Sequence, residues 1–128
     1  MTGGALPSMA FFDGVPGLDA EAGLRTVGGR PGSLLRLLRK YESLHTEDSR
    51  VFQSWMATGE LGLVRTLAHT LRGSTGFLGL AEIQRICGEI EATLAGDGDL
   101  AKVESLLAAF EQQNRLVCAG IRNLADLD

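Results

Sequence analysis

The chain has 128 residues, 45% of them hydrophobic and 22% charged, with a formal net charge of −4. That length suits one domain with a real core, and the mild acidity argues against nucleic acid as the main partner, because a phosphate-binding surface is usually basic. No apolar run approaches the roughly 20 residues that span a bilayer, so no membrane contact is expected.

Residues 1–17, MTGGALPSMAFFDGVPG, lack the basic and long apolar regions of a signal peptide. Their glycine and proline content predicts a flexible arm or linker, as expected of a domain cut from a longer protein, with the folded domain over 18–128. Leu18 to Val27 is a short helix candidate, with Asp19 and Glu21 near its start and Gly28-Gly29 as a stop. Pro31 suits the first turn of the next helix, along which Leu34, Leu37, Leu38 and Tyr41 recur at i, i+3, i+4, i+7. Thr46 is a candidate cap for a continuation carrying Val51, Phe52, Trp55 and Met56. The pattern leaves open whether 32–57 is one kinked helix or two.

Thr58 is expected to N-cap the following helix, with Glu60 in its first turn. Val64, Leu67, Ala68, Leu71, Thr75 and Leu78 make its apolar stripe, which Gly79 breaks. Ile83, Ile86, Cys87, Ile90 and Leu94 make the next stripe. Gly96 to Asp99 is a turn whose last residue can cap the final helix, with Leu100, Val103, Leu107, Phe110, Val117, Ile121 and Leu124 on its stripe. Sustained period-2 alternation is absent. The predicted fold is all-α: an antiparallel four-helix bundle with a short additional N-terminal helix. Cys87 and Cys118 fall on these stripes without metal-ligand spacing and read as buried thiols in a reducing compartment. The stripes account for most large apolar residues, so a monomer is expected.

One helix face departs from this plain pattern. With Val64 at the centre of the apolar stripe, His69 lies about 140° away, on the solvent side. Its strip reads Gly62, Arg65, His69, Arg72, Gly73, Gly76. Glycine inside a helix costs about 0.5–1 kcal/mol relative to alanine, so three of them around a histidine call for a reason. Missing side chains leave the imidazole open to a bulky partner. A neutral imidazole nitrogen is a nucleophile near neutral pH. Arginines one turn away on either side would compensate the charge of an acquired phosphoryl group. A tight hairpin about Gly79-Leu80 sets position 69 opposite 90 or 91. Glu91 there is placed to accept from the far imidazole nitrogen; the other reading makes it a solvated charge, paired with Arg72.

The run Ala68-His69-Thr70-Leu71-Arg72-Gly73-Ser74-Thr75-Gly76-Phe77-Leu78-Gly79 resembles the signature of histidine-containing phosphotransfer (HPt) domains, roughly A-H-x-L-K-G-[SA]-[SA]-x-x-[LIV]-G. A weaker likeness extends over about 18–125, including Leu18 and Gly23-Leu24-Arg25 before Gly28-Gly29, and Ile90-Glu91 after the motif. The resemblance implies a phosphocarrier without kinase activity. It would accept a phosphoryl group on His69 from a receiver-domain aspartate and pass it to another receiver aspartate in a two-component phosphorelay. By carry-over, Arg72 compensates phosphate charge at a position usually held by lysine, Gly73 gives access, and Glu91 orients the histidine. In the family the phosphoryl group sits on Nε2. Arg65, Gly76, Phe77 and Leu80 are expected to meet the partner. The resemblance implies no cofactor on this chain, with Mg²⁺ on the partner receiver. The partners would be response-regulator receivers and a hybrid sensor histidine kinase, in the cytoplasm.

Other chemistries find less support. His45, in LHTED, has no glycine or arginine at i+3 or i+4 and reads as a structural or surface residue. His69 has no second histidine at i+3 or i+4, so no metal site is expected, and no serine or cysteine pairs with it for nucleophilic hydrolysis. A dimerising histidine-kinase bundle would need an acidic residue where Thr70 follows His69, and a later proline that does not occur after Pro31. The alternative is a docking module that binds a receiver or regulatory protein without carrying phosphate.

Overall fold

Each helix of the chain starts and stops for a reason visible in its local sequence. The structure is a computed structural model that describes residues 9–127. Helix α1 (Ala20–Thr26) is capped by Asp19, whose Oδ1 accepts from the Ala22 amide at 3.1 Å. Helix α2 (Pro31–His45) opens on a proline, where the missing N–H leaves no intrahelical bond unmade. Helix α3 (Asp48–Ala57) follows after a two-residue break, so the segment 32–57 forms two helices. Helix α4 (Leu61–Leu78) carries the histidine strip. Helix α5 (Ala81–Ala95) returns antiparallel to it. Helix α6 (Leu100–Arg122) is capped by Asp99, whose Oδ1 accepts from the Lys102 amide at 3.2 Å.

Two predicted caps belong to the other side of their junctions. Thr58 closes α3: its hydroxyl donates to the Ser54 carbonyl at 3.2 Å. Gly59 then turns the chain through a left-handed conformation at φ 76, and α4 starts only after Glu60. Thr46 likewise ends α2, and Glu47 precedes α3. A threonine at a junction can back-bond to the helix it leaves as readily as cap the next one.

Helix α5 packs chiefly between α4 and α6. Leu34, Leu38, Phe52, Val64, Leu71, Ile83, Ile90 and Phe110 are fully buried, and Phe52 meets Phe110 edge-to-face at 5.2 Å between ring centroids. The chain is all-α, with no strand among the described residues. Both cysteines are buried and free; burial pushes the Cys87 thiol up to about 12, and it raises the Tyr41 phenol as well. Tyr41 donates to Asn114 Oδ1 at 2.6 Å, Asn114 donates to the His45 carbonyl at 2.9 Å, and His45 Nδ1 lies 2.7 Å from Asp48 Oδ2. His45 thus pins the α2–α3 corner to α6.

The part of the expected arm that the structure describes, residues 9–17, is packed rather than free. Phe12 and Val15 lie in the core, 2% and 3% exposed. Gly120 of α6 makes room for this segment, since a Cβ there would collide with the Gly14 carbonyl, and Gln113 donates to the Pro16 carbonyl at 3.1 Å. Burial of these two apolar side chains outweighs the glycines and proline around them. Residues 1–8 lie outside the described residues.

Candidate functional site

Helix α4 ends at Gly79, and that ending fixes the site. Gly79 adopts φ 83, a left-handed conformation favoured by glycine. Its carbonyl accepts from the Asp19 amide at 2.7 Å, and Leu18 pairs with Leu80 in a single antiparallel bridge. The turn is therefore clamped by the start of α1. The two helices leave it in a fixed register, which brings α5 alongside the histidine strip.

His69 projects from α4 with its side chain 61% exposed. Its Nδ1 lies 2.6 Å from Glu91 Oε2. An ionised carboxylate only accepts, so Nδ1 is the donor. In the neutral ring the proton on Nδ1 leaves the lone pair on Nε2. Glu91 reaches across from α5 with its side chain 19% exposed, and its other oxygen, Oε1, forms an ion pair with Arg72 Nε at 3.1 Å. Glu91 contacts the imidazole and the arginine together; the pairing with Arg72 is present, but the carboxylate is largely buried rather than solvated. Arg72 is half exposed and has no other ion pair among the described residues.

The glycines of the strip play different parts. A Cβ at Gly73 or Gly62 would meet nothing within 4 Å, so the space beside the imidazole is open. Gly76 is half-buried, and a Cβ there would press on the Gln84 side chain of α5. Its room is taken by this chain's own glutamine rather than left for a partner. Arg65 and Phe77 are exposed, Phe77 by 50%. Leu80 is not available to a partner: it is fully buried beneath the turn, where it precedes α5 and pairs with Leu18. A residue inside a tight, clamped turn points where the turn sends it, and helical periodicity carries no information there.

Phe77 also borders an apolar groove of about 310 Å³ between α2 and α4, lined by Leu37, Tyr41, Leu44 and Leu78, with Lys40 on its rim. Leu44 is 61% exposed. Gly88 and Gln84 of α5 were not singled out by the sequence. Both face the strip, and the signal was present: Gly88 lies one helical turn before Glu91 in a helix interior that has no need of glycine. Among the described residues, no group of three His, Cys, Asp or Glu side chains is placed to hold a metal ion, and no helix is long and apolar enough to cross a membrane.

An all-helical bundle with one open imidazole, its far nitrogen tethered and a cation beside it, defines a histidine-bearing module suited to carrying a group. The Hpt domain family model matches residues 36–125, and the chain belongs to that family. Hpt domains are phosphocarriers of phosphorelays, and their partners are response-regulator receivers. No curated protein and no solved structure matches the chain significantly.

Proposed function

We propose that His69 is the phospho-accepting residue of a relay and that its Nε2 is the nucleophile. The lone pair of Nε2 attacks the phosphorus of a receiver's aspartyl phosphate. A P–N bond forms, the bond to the aspartyl oxygen breaks, and the carboxylate leaves with its electron pair. Nδ1 keeps its proton throughout, held by Glu91, which also stabilises the cationic ring that results. Arg72 compensates the added phosphoryl charge, at a helical distance where a guanidinium offers a planar set of donors. Gly73 keeps the approach clear. Transfer to a second aspartate is the same step reversed.

The partner we assign is a receiver domain that docks over the exposed face of α4, with Arg65 on the rim and Phe77 covered. Relay contacts must release quickly, so the interface is modest and the binding transient. The Mg²⁺ and the catalytic residues belong to that receiver, and no cofactor is assigned to this chain. A hybrid sensor histidine kinase as phosphate source, a monomeric state and a cytoplasmic setting complete the reading. The single observation that carries it is the exposed imidazole tethered through Nδ1 to Glu91.

The test is phosphotransfer from purified phosphorylated receiver domains, with His69→Gln and His45→Gln in parallel. The expected label is acid-labile and base-stable, present in His45→Gln and absent in His69→Gln. A folded wild-type protein left unlabelled by every receiver would point instead to a docking module that carries no phosphate.

A further inference from the structure

Gly88 sits in the interior of α5 with an ordinary helical backbone, open to any residue. Glycine there weakens the helix relative to alanine, and no turn or left-handed conformation calls for it. What the missing side chain provides is room. A Cβ at position 88 would lie 3.3 Å from Arg72 Cδ and 4.0 Å from Cγ, its nearest contacts beyond the adjoining residues and the backbone of its own helix. The aliphatic stem of Arg72 therefore lies across α5 at the one position that has no side chain.

The consequence runs to the histidine. Arg72 and His69 are three residues apart on α4; Gly88 and Glu91 are three apart on α5. With its stem seated at Gly88, Arg72 reaches Glu91 Oε1 through Nε at 3.1 Å. That leaves the two terminal nitrogens for a phosphoryl group, and it holds the carboxylate whose other oxygen tethers His69 Nδ1. A side chain at 88 would lift the stem, part the ion pair and free the carboxylate to turn.

We propose that Gly88 is a positioning residue for phosphotransfer: it seats the Arg72 stem and so sets the Glu91 carboxylate that orients His69. The inference rests on His69 being the phospho-acceptor. It also accounts for arginine at 72, since the longer, bulkier side chain needs a bare stretch of the neighbouring helix to lie on.

The experiment is a cycle of Gly88→Leu and Arg72→Ala, singly and together. Each variant is checked for folding by circular dichroism. The Arg72 Nε–Hε correlation is followed by NMR in the proteins that keep the arginine. Labelling of His69 is followed with phosphoramidate, a small donor, and with a phosphorylated receiver. In Gly88→Leu the Nε–Hε signal should move to the position of a free arginine, and transfer should slow by roughly threefold, the scale of one lost half-exposed ion pair. In the Arg72→Ala background, Gly88→Leu should slow transfer by less than about twofold. An unmoved signal, or equal slowing in both backgrounds, overturns the proposal. If Gly88→Leu fails to fold, Gly88→Val takes its place, and an unmoved Nε–Hε signal there overturns the proposal equally. A wild-type protein that is never labelled, while Gly88→Leu still moves the signal, overturns the relay reading and leaves the seat standing.

Discussion

Glu91→Ala removes two contacts in one change, and their sizes set the expected effect. The imidazole loses its Nδ1 acceptor at 2.6 Å, and Arg72 loses its ion-pair partner at 3.1 Å. A hydrogen bond to a charged group contributes about 1.5–3 kcal/mol when shielded. His69 is 61% exposed and Arg72 is 48% exposed, so water replaces part of both. The arginine pair then contributes no more than about 1 kcal/mol, and the imidazole contact falls at the low end of its range. Together the two losses come to about 2 kcal/mol in the transfer step, roughly thirtyfold in rate. Glu91→Gln is the graded control. Its amide oxygen can still accept from Nδ1, but its NH₂ faces a cation, so only the arginine half is lost and roughly a threefold slowing is expected. The assay is single-turnover transfer from a phosphorylated receiver, beside ¹⁵N NMR of the imidazole to read which nitrogen carries the proton. Transfer within about twofold of wild type by a folded Glu91→Ala protein, with the proton still on Nδ1, would refute the tether.

Other substitutions test other links. Gly73→Gln should fold as well as wild type or slightly better, since a Cβ there meets nothing within 4 Å and leaving glycine in a helix gains about 0.5 kcal/mol; transfer should fall by at least about tenfold, and full transfer with an unchanged melting curve would sink the accessibility argument. Gly79→Ala should destabilise by about 2 kcal/mol or more, because φ is 83 and the new Cβ would collide with the Asp19 carbonyl; thermal melting reads this, and a Tm equal to wild type would contradict the clamp. Burial raises the Cys87 thiol from its ordinary 9.0 to about 12, so the folded chain keeps a proton that the unfolded chain releases. The stability from that burial is complete below pH 9 and is lost as pH rises towards 12. Urea melts at pH 7, 9 and 10 should show a decline that Cys87→Ala makes shallower; parallel declines would count against this cause.

Much of the site was legible because helices are regular and one glycine fixed how two of them face each other. The offset of His69 from the Val64–Leu78 stripe follows from 3.6 residues per turn, and the hairpin about Gly79 put Glu91 within its reach. What escaped were features without period. Leu80 sits inside the turn, where the clamp on Gly79 and the bridge to Leu18 bury it. Phe12 and Val15 are core residues hidden among glycines and prolines that read as a linker. Thr58 and Thr46 carry the right hydroxyl for a cap, but Gly59 and the α2–α3 corner decided which helix each would serve. Gly76 reads as open from its own helix alone, and only the neighbouring helix reveals Gln84 beside it.

The three contacts that build the site share one geometric origin. His69 and Glu91 stand eleven residues either side of Leu80, Arg72 and Gly88 eight, and Gly76 and Gln84 four. In an antiparallel helical hairpin, positions equidistant from the turn lie level, and steps of three or four residues keep them on the facing strip. Each level then pairs a large group with a small one or a donor with an acceptor: imidazole with carboxylate, arginine stem with a bare Cα, a bare Cα with a glutamine. The glycines at 73, 76 and 88 therefore answer to distinct demands. Gly73 leaves the space beside the imidazole open, while Gly76 and Gly88 leave room for Gln84 and the Arg72 stem between α4 and α5. Leu80, buried at the centre of this symmetry, matters to the site as the pivot that sets the register. A change of register by one residue would turn each facing side chain by about 100° and break all three levels together, which is why the left-handed Gly79 and its clamp on α1 are as much a part of the site as the histidine.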